Sequence, residues 1–65
     1  MTVILNGSPF EFHADTLADL LTAADLGEAT VATAVNGTFV PATARAQHRL
    51  SEGDTVEVLA PMQGG

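Results

Sequence analysis

The sequence contains no cysteine, no lysine, no tryptophan and no tyrosine. Without cysteine there is no disulfide staple, no thiolate nucleophile and no zinc knuckle. The fold then rests on packing and hydrogen bonds, which fits a cytoplasmic setting. Without Trp or Tyr, the core has to be assembled from Val, Leu, Ile, Phe and Ala. Positive charge is nearly missing as well: Arg45 and Arg49 face eight acids, for a net charge of −6 and a pI near 4.3. Such a surface repels nucleic acid and anionic membrane and suits a basic protein partner. The same surplus also keeps a small domain soluble. No basic stretch followed by an apolar one opens the chain, so no secretory signal is expected. No apolar run reaches the length of a membrane span. The 65 residues amount to one domain, spanning 1–65. A chain that small buries only about 60% of its unfolded surface, which leaves little room for a deep cleft.

What is present alternates between strand and helix signals. "TVIL" (Thr2 to Leu5) is short, apolar and partly β-branched, and reads as a strand. Asn6-Gly7 follows, a strong hairpin signal because both residues tolerate positive φ. "PFEFH" (Pro9 to His13) puts Phe10 and Phe12 on one face and Glu11 and His13 on the other. Pro9 cannot donate to a ladder, so this strand belongs at an edge or starts at the proline. Between Asp15 and Gly27 the period changes: Leu17, Leu20, Leu21 and Ala24 recur at helical spacing. Thr16 and Asp19 form a capping pair, and Gly27 is the expected stop. "TVATAV" (Thr30 to Val35) is a third strand, followed by a second hairpin signal, Asn36-Gly37. "FVP" (Phe39 to Pro41) is a short fourth strand. "ATARAQHRL" reads either as a turn or as a single helical turn that carries Leu50 into the core. "SEGD" (Ser51 to Asp54) is a turn, and "TVEVLA" (Thr55 to Ala60) is the last strand.

One amphipathic helix covers one face of a four- or five-stranded sheet. A helix between the second and third strands lets the first and last strands lie side by side, in parallel, at the sheet centre. The expected fold class is therefore α+β: a β-grasp, the ubiquitin-like architecture, with a mixed sheet.

Conventional catalysis finds little support. His13 and His48 are the only imidazoles, too few and too far apart in sequence for a metal site. Ser8 and Ser51 neighbour turn residues and have no base implied. No glycine loop that cradles phosphate joins a strand to a helix. No metal and no bound cofactor is expected, and the chain does not read as an enzyme that acts alone. What remains is the tail, residues 61–65: Pro61, Met62, Gln63, Gly64 and Gly65. Pro61 stops the last strand, and the segment beyond is expected to protrude and move. Two glycines without Cβ let another protein's narrow channel reach the terminal carboxylate. That carboxylate is a poor electrophile until a nucleotide activates it.

These stretches together resemble the ThiS family of sulfur carriers. The resemblance covers nearly the whole length: the Asn6-Gly7 hairpin, "TLADLL", "VATAVNGTFVP", "RLSEGDTVEVL" and the terminal Gly64-Gly65. Arg45 stands where family members often carry a bulky residue, frequently Trp. The resemblance implies that a ThiF-like adenylating enzyme uses Mg-ATP to convert the Gly65 carboxylate into an acyl-adenylate. A persulfide on another protein then displaces AMP, leaving a thiocarboxylate on Gly65. A ThiG-like thiazole synthase takes that sulfur into the thiazole ring of thiamine. ATP and Mg would belong to the partner. Sibling carriers for molybdopterin, cysteine or tRNA thiolation share the tail chemistry, and a non-activated β-grasp interaction module is the alternative of a different class.

The open face of the sheet is the expected docking surface. Alternation in the last strand sets Glu57 and Leu59 opposite Val56 and Val58. If Val56 and Val58 face the helix, Leu59 lies on the open face beside Met62, and Phe39 extends the patch if it points the same way. The competing expectation buries Leu59, since a strand beside the terminus can be covered on both faces.

Overall fold

The computed structural model describes residues 1–60. Its elements are β1 (Thr2–Leu5), β2 (Ser8–Glu11), α1 (Leu17–Ala23), β3 (Ala32–Val35), β4 (Thr38–Val40), a 3₁₀ helix (Ala42–Gln47) and β5 (Thr55–Leu59). The five strands form one sheet in the order β2-β1-β5-β3-β4. β1 and β5 run parallel, and all other neighbours are antiparallel. The chain leaves β2 at one edge, crosses a sheet face as α1, and enters β3 two strands beyond β1. β5 then fills the gap between β1 and β3. This is the β-grasp expected from the order of sequence signals.

Both hairpins turn on Asn-Gly. Asn6 and Gly7 have φ of 49° and 87°, and Asn36 and Gly37 have 51° and 84°. Two successive positive φ values match the right-handed twist of the flanking strands, which is why Asn-Gly is selected there. A Cβ at Gly7 or Gly37 would meet no atom within 4 Å. The constraint at those glycines is therefore backbone conformation and not space.

The helix is shorter than the expected span from Asp15 to Gly27. Thr16 caps it, its Oγ1 accepting the Asp19 N–H at 3.1 Å. At the other end Ala24 is the C-cap and Asp25 takes the left-handed conformation at φ 64°. Asp is one of the few non-glycine residues that visit this region. Gly27, the expected stop, is not in a positive-φ conformation. Leu17, Leu20 and Leu21 are buried against the sheet face that carries Val3, Val35, Val40, Val56 and Val58. Each such side chain contributes roughly 1.5–3 kcal/mol of burial.

The segment "ATARAQHRL" resolves into a 3₁₀ helix followed by an extended stretch. The His48 C=O accepts the Leu17 N–H at 2.9 Å, and the Leu50 N–H donates to the Asp15 C=O at 2.7 Å. These bonds carry Leu50 into the core, where it is buried. Arg49 joins Asp15 in an exposed ion pair at 2.6 Å, a kind that adds at most about 1 kcal/mol. Phe12 lies just past the end of β2. It is buried there and stacked on half-buried Phe10 with ring centroids 6.5 Å apart. His13 is exposed.

Candidate functional site: the open sheet face and the exit of the last strand

Pairing decides which side chains share a face. Thr33 opposes Val40 and Val58, so these three belong to the buried, helix-covered side. Ala34 opposes Phe39 and Glu57, and Ala32 opposes Leu59, so these residues lie on the other side. Phe39 and Leu59 are the exposed large hydrophobics of the described residues, each 65% accessible. The competing expectation that Leu59 is buried is thereby overturned. β1 and β3 flank β5, but no described element covers that face of it. Ile4, opposite Thr55, continues the face toward β1.

β5 aims the chain toward residue 61, and it is gripped at both ends. Backbone pairing with β1 runs through Ile4 and Leu5, after which β1 turns away. There the Asn6 carboxamide takes over: Oδ1 accepts the Val58 N–H at 2.8 Å and Nδ2 donates to the Val58 C=O at 3.0 Å. Asn6 thus acts as a side-chain extension of the neighbouring strand. Asn36 does the same at the other end, its Oδ1 accepting the Thr55 N–H at 3.0 Å while its N–H donates to the Thr55 C=O at 2.7 Å. Nothing in the sequence beyond the hairpin signal announces these long-range roles. Past Val58 the chain continues through Leu59 and Ala60, which with Thr30, Val31 and Ala32 line a shallow, mainly apolar groove.

The start of β5 has an electrostatic lock. Asp54 Oδ2 accepts the Ser51 N–H at 2.8 Å and Oδ1 accepts Asn36 Nδ2 at 3.1 Å. The Ser51 amide and then the Asn36 carboxamide hold the Asp54 carboxyl below its ordinary 3.8 against the opposing effect of burial, with the charge on nearby His48 the least of the contributions. A carboxyl whose folded value lies below its unfolded value stabilises the fold fully above the unfolded value. That stability is lost as pH falls through the lowered folded value. Asp54→Asn is therefore expected to melt below the wild type at neutral pH. The gap should close as acidification proceeds below 3.8, measured by circular dichroism melts across a pH series. A gap independent of pH would show that the charge is not what matters.

Arg45 is half-buried and ties the 3₁₀ helix to β3. Its Nε donates to Thr33 Oγ1 at 2.9 Å and its Nη2 to the Val31 C=O at 2.6 Å. Thr33, the one buried polar side chain of the described residues, donates in turn to the Val40 C=O at 2.7 Å. Among the described residues no three metal-ligating side chains converge. No described helix is long and apolar enough to cross a membrane. Gly65, Gly64 and Met62, the sequence-derived tail residues, lie outside the described residues.

A five-stranded mixed sheet, one crossing helix and a central last strand leading into a terminal segment define the ubiquitin-like β-grasp class. Within that class, residues 3–65 match the ThiS family. The chain belongs to the ThiS family, whose members are small carrier proteins. The crystal structure of a thiamine biosynthesis protein (ThiS) from Geobacter metallireducens is similar at 29% identity and a TM-score of 0.83, with both chains covered in full. An NMR solution structure of a thiamine biosynthesis protein from the same organism is similar at 28% identity and a TM-score of 0.77, covering 100% of this chain and 88% of that one. No curated protein matches the sequence.

Proposed function

We propose that this protein is the sulfur carrier of thiazole formation in thiamine biosynthesis and that Gly65 carries the sulfur. The observation that carries this reading is the family match running through residue 65, past the last strand and across both terminal glycines. The two solved neighbours, both thiamine biosynthesis proteins, favour the thiazole pathway over the sibling carriers. The chemistry needs a carboxylate and an external activating enzyme. A ThiF-like partner transfers AMP from Mg-ATP to the Gly65 carboxylate and releases pyrophosphate. The terminal sulfur of a partner's persulfide attacks the activated carbonyl carbon and AMP leaves. Thiol cleavage of the resulting acyl disulfide leaves the thiocarboxylate, which a ThiG-like thiazole synthase consumes. The chain has no cysteine to hold a persulfide itself, so the sulfur arrives on another protein. Such chemistry belongs in the cytoplasm. Phe39 and Leu59 on the open face form the docking surface that delivers the tail; Met62 is added to it from the sequence alone.

Incubated with the adenylating partner, ATP and a sulfur donor, the intact protein should gain the mass of one oxygen-to-sulfur exchange, and fragmentation should locate it at Gly65. Sulfur on an internal residue, or none with a demonstrably active partner, would count against the carrier reading.

A further inference from the structure

The open face carries one feature that apolar docking alone does not explain. Glu57 sits at its centre, in the middle of β5. It lies in one row with Ala34 and Phe39 and one step from the row of Ala32 and Leu59. Its carboxylate is exposed and makes no hydrogen bond or ion pair among the described residues. The ion pair found there is Arg49 with Asp15. The other arginine, Arg45, spends its guanidinium on Thr33 and Val31, and there is no lysine. A partner that covers Phe39 and Leu59 must also desolvate Glu57, and a buried carboxylate without a counter-charge strongly opposes binding. The face therefore selects for a partner that brings a cation to that point.

We propose that Glu57 is the charged anchor of this face and that an arginine of a different, basic protein docks on it while apolar side chains cover Phe39 and Leu59. Arginine fits better than lysine because its planar guanidinium can donate two parallel bonds to one carboxylate. A second copy of this chain does not fit. Its net charge is −6, both of its arginines are engaged, and a two-fold contact through this face would bring two Glu57 side chains together. An anionic membrane is repelled on the same grounds. Taking the partner to be the adenylating enzyme rests on the carrier reading above.

The test compares wild type, Glu57→Gln and Glu57→Arg, using the protein's own ThiF-like enzyme. Binding is followed by calorimetry and sulfur loading by mass spectrometry. Glu57→Gln should weaken binding about tenfold and Glu57→Arg about 100-fold or more, as expected for a desolvated charge pair. The loss should appear in KM, with kcat at saturating carrier nearly kept, and the melting curves of the three proteins should coincide. Wild-type affinity should fall with added salt, and that dependence should flatten in Glu57→Arg. A Glu57→Arg protein that binds and loads as the wild type does overturns the proposal and leaves the carrier reading standing. A wild type that binds but takes no sulfur sinks the carrier reading, and the Glu57 comparison is then decided by binding alone. A wild type that does not bind, or that forms dimers dispersed by substituting Phe39, overturns the proposal.

Discussion

Removing Gly65 should abolish sulfur loading while the thermal midpoint stays within about 3 °C of the wild type. The two halves of this result have separate causes. Among the described residues, the buried hydrophobic core lies between Val3 and Val58. Among the same residues, the hydrogen bonds that hold β5 end at Val58 and at the Leu59 pairing with Ala32. Loss of Gly65 touches none of these, and changes outside such features usually stay within about 0.5 kcal/mol. Loading is different because the proposed reaction occurs at one carboxyl carbon. A shortened tail still ends in a carboxylate, now on Gly64, but that group falls about 3.5 Å short of where the enzyme expects it. A displacement of even 1 Å in a positioned reaction can cost about 100-fold. Intact mass spectrometry after incubation with the partner reads the loading, and circular dichroism reads the fold. A shortened protein that still gains sulfur at wild-type rate would overturn the role of Gly65. One that unfolds would show that the tail belongs to the fold.

The fold was legible in the sequence wherever local and global signals agree. Asn6-Gly7 and Asn36-Gly37 fix two hairpins because only a few residue types accept two positive φ values in a row. Leu17, Leu20 and Leu21 fix the buried stripe of α1 because their spacing matches no other element. Errors gather where two residues can do one job. Asp25 ends the helix in place of Gly27, since the left-handed C-terminal position admits Asp as well as Gly. The stretch from Ala42 to Leu50 stayed ambiguous because its structure comes from distant partners. The pairing of residues near His48 with Leu17 and of Leu50 with Asp15 leaves no periodic trace. The candidate site was legible in part. Alternation alone set Leu59 opposite Val56 and Val58, but alternation does not say which face is covered. That required the register, in which Leu59 opposes Ala32 and Phe39 opposes Ala34. The grip of Asn6 on Val58 could not be read at all, because it joins residues 52 positions apart.

That grip fixes the open face relative to the end of β5, and so makes the second large effect predictable. Leu59→Asp should remain folded yet bind its adenylating partner at least tenfold more weakly. Leu59 is 65% exposed, so its replacement opens no cavity and places no charge in the core. Its backbone pairing with Ala32 does not depend on the side chain. In the complex the position differs. An exposed leucine that becomes fully buried in an interface contributes about 2 kcal/mol, roughly a 30-fold change in affinity. An aspartate there would also need to be desolvated. It would stand two residues from Glu57 on the same face, doubling the negative charge that the partner must neutralise. Circular dichroism checks the fold, calorimetry the binding, and a Leu59→Asn control removes the added charge while keeping the loss of apolar contact. The control should recover part of the lost affinity and not all of it. If Leu59→Asp stays folded and binds as wild type does, the partner docks elsewhere, and the exposed pair Phe39 and Leu59 has no share in delivering the tail. If Leu59→Asp unfolds while Leu59→Asn does not, charge density on β5 limits the fold, and the binding loss is then read from the asparagine variant.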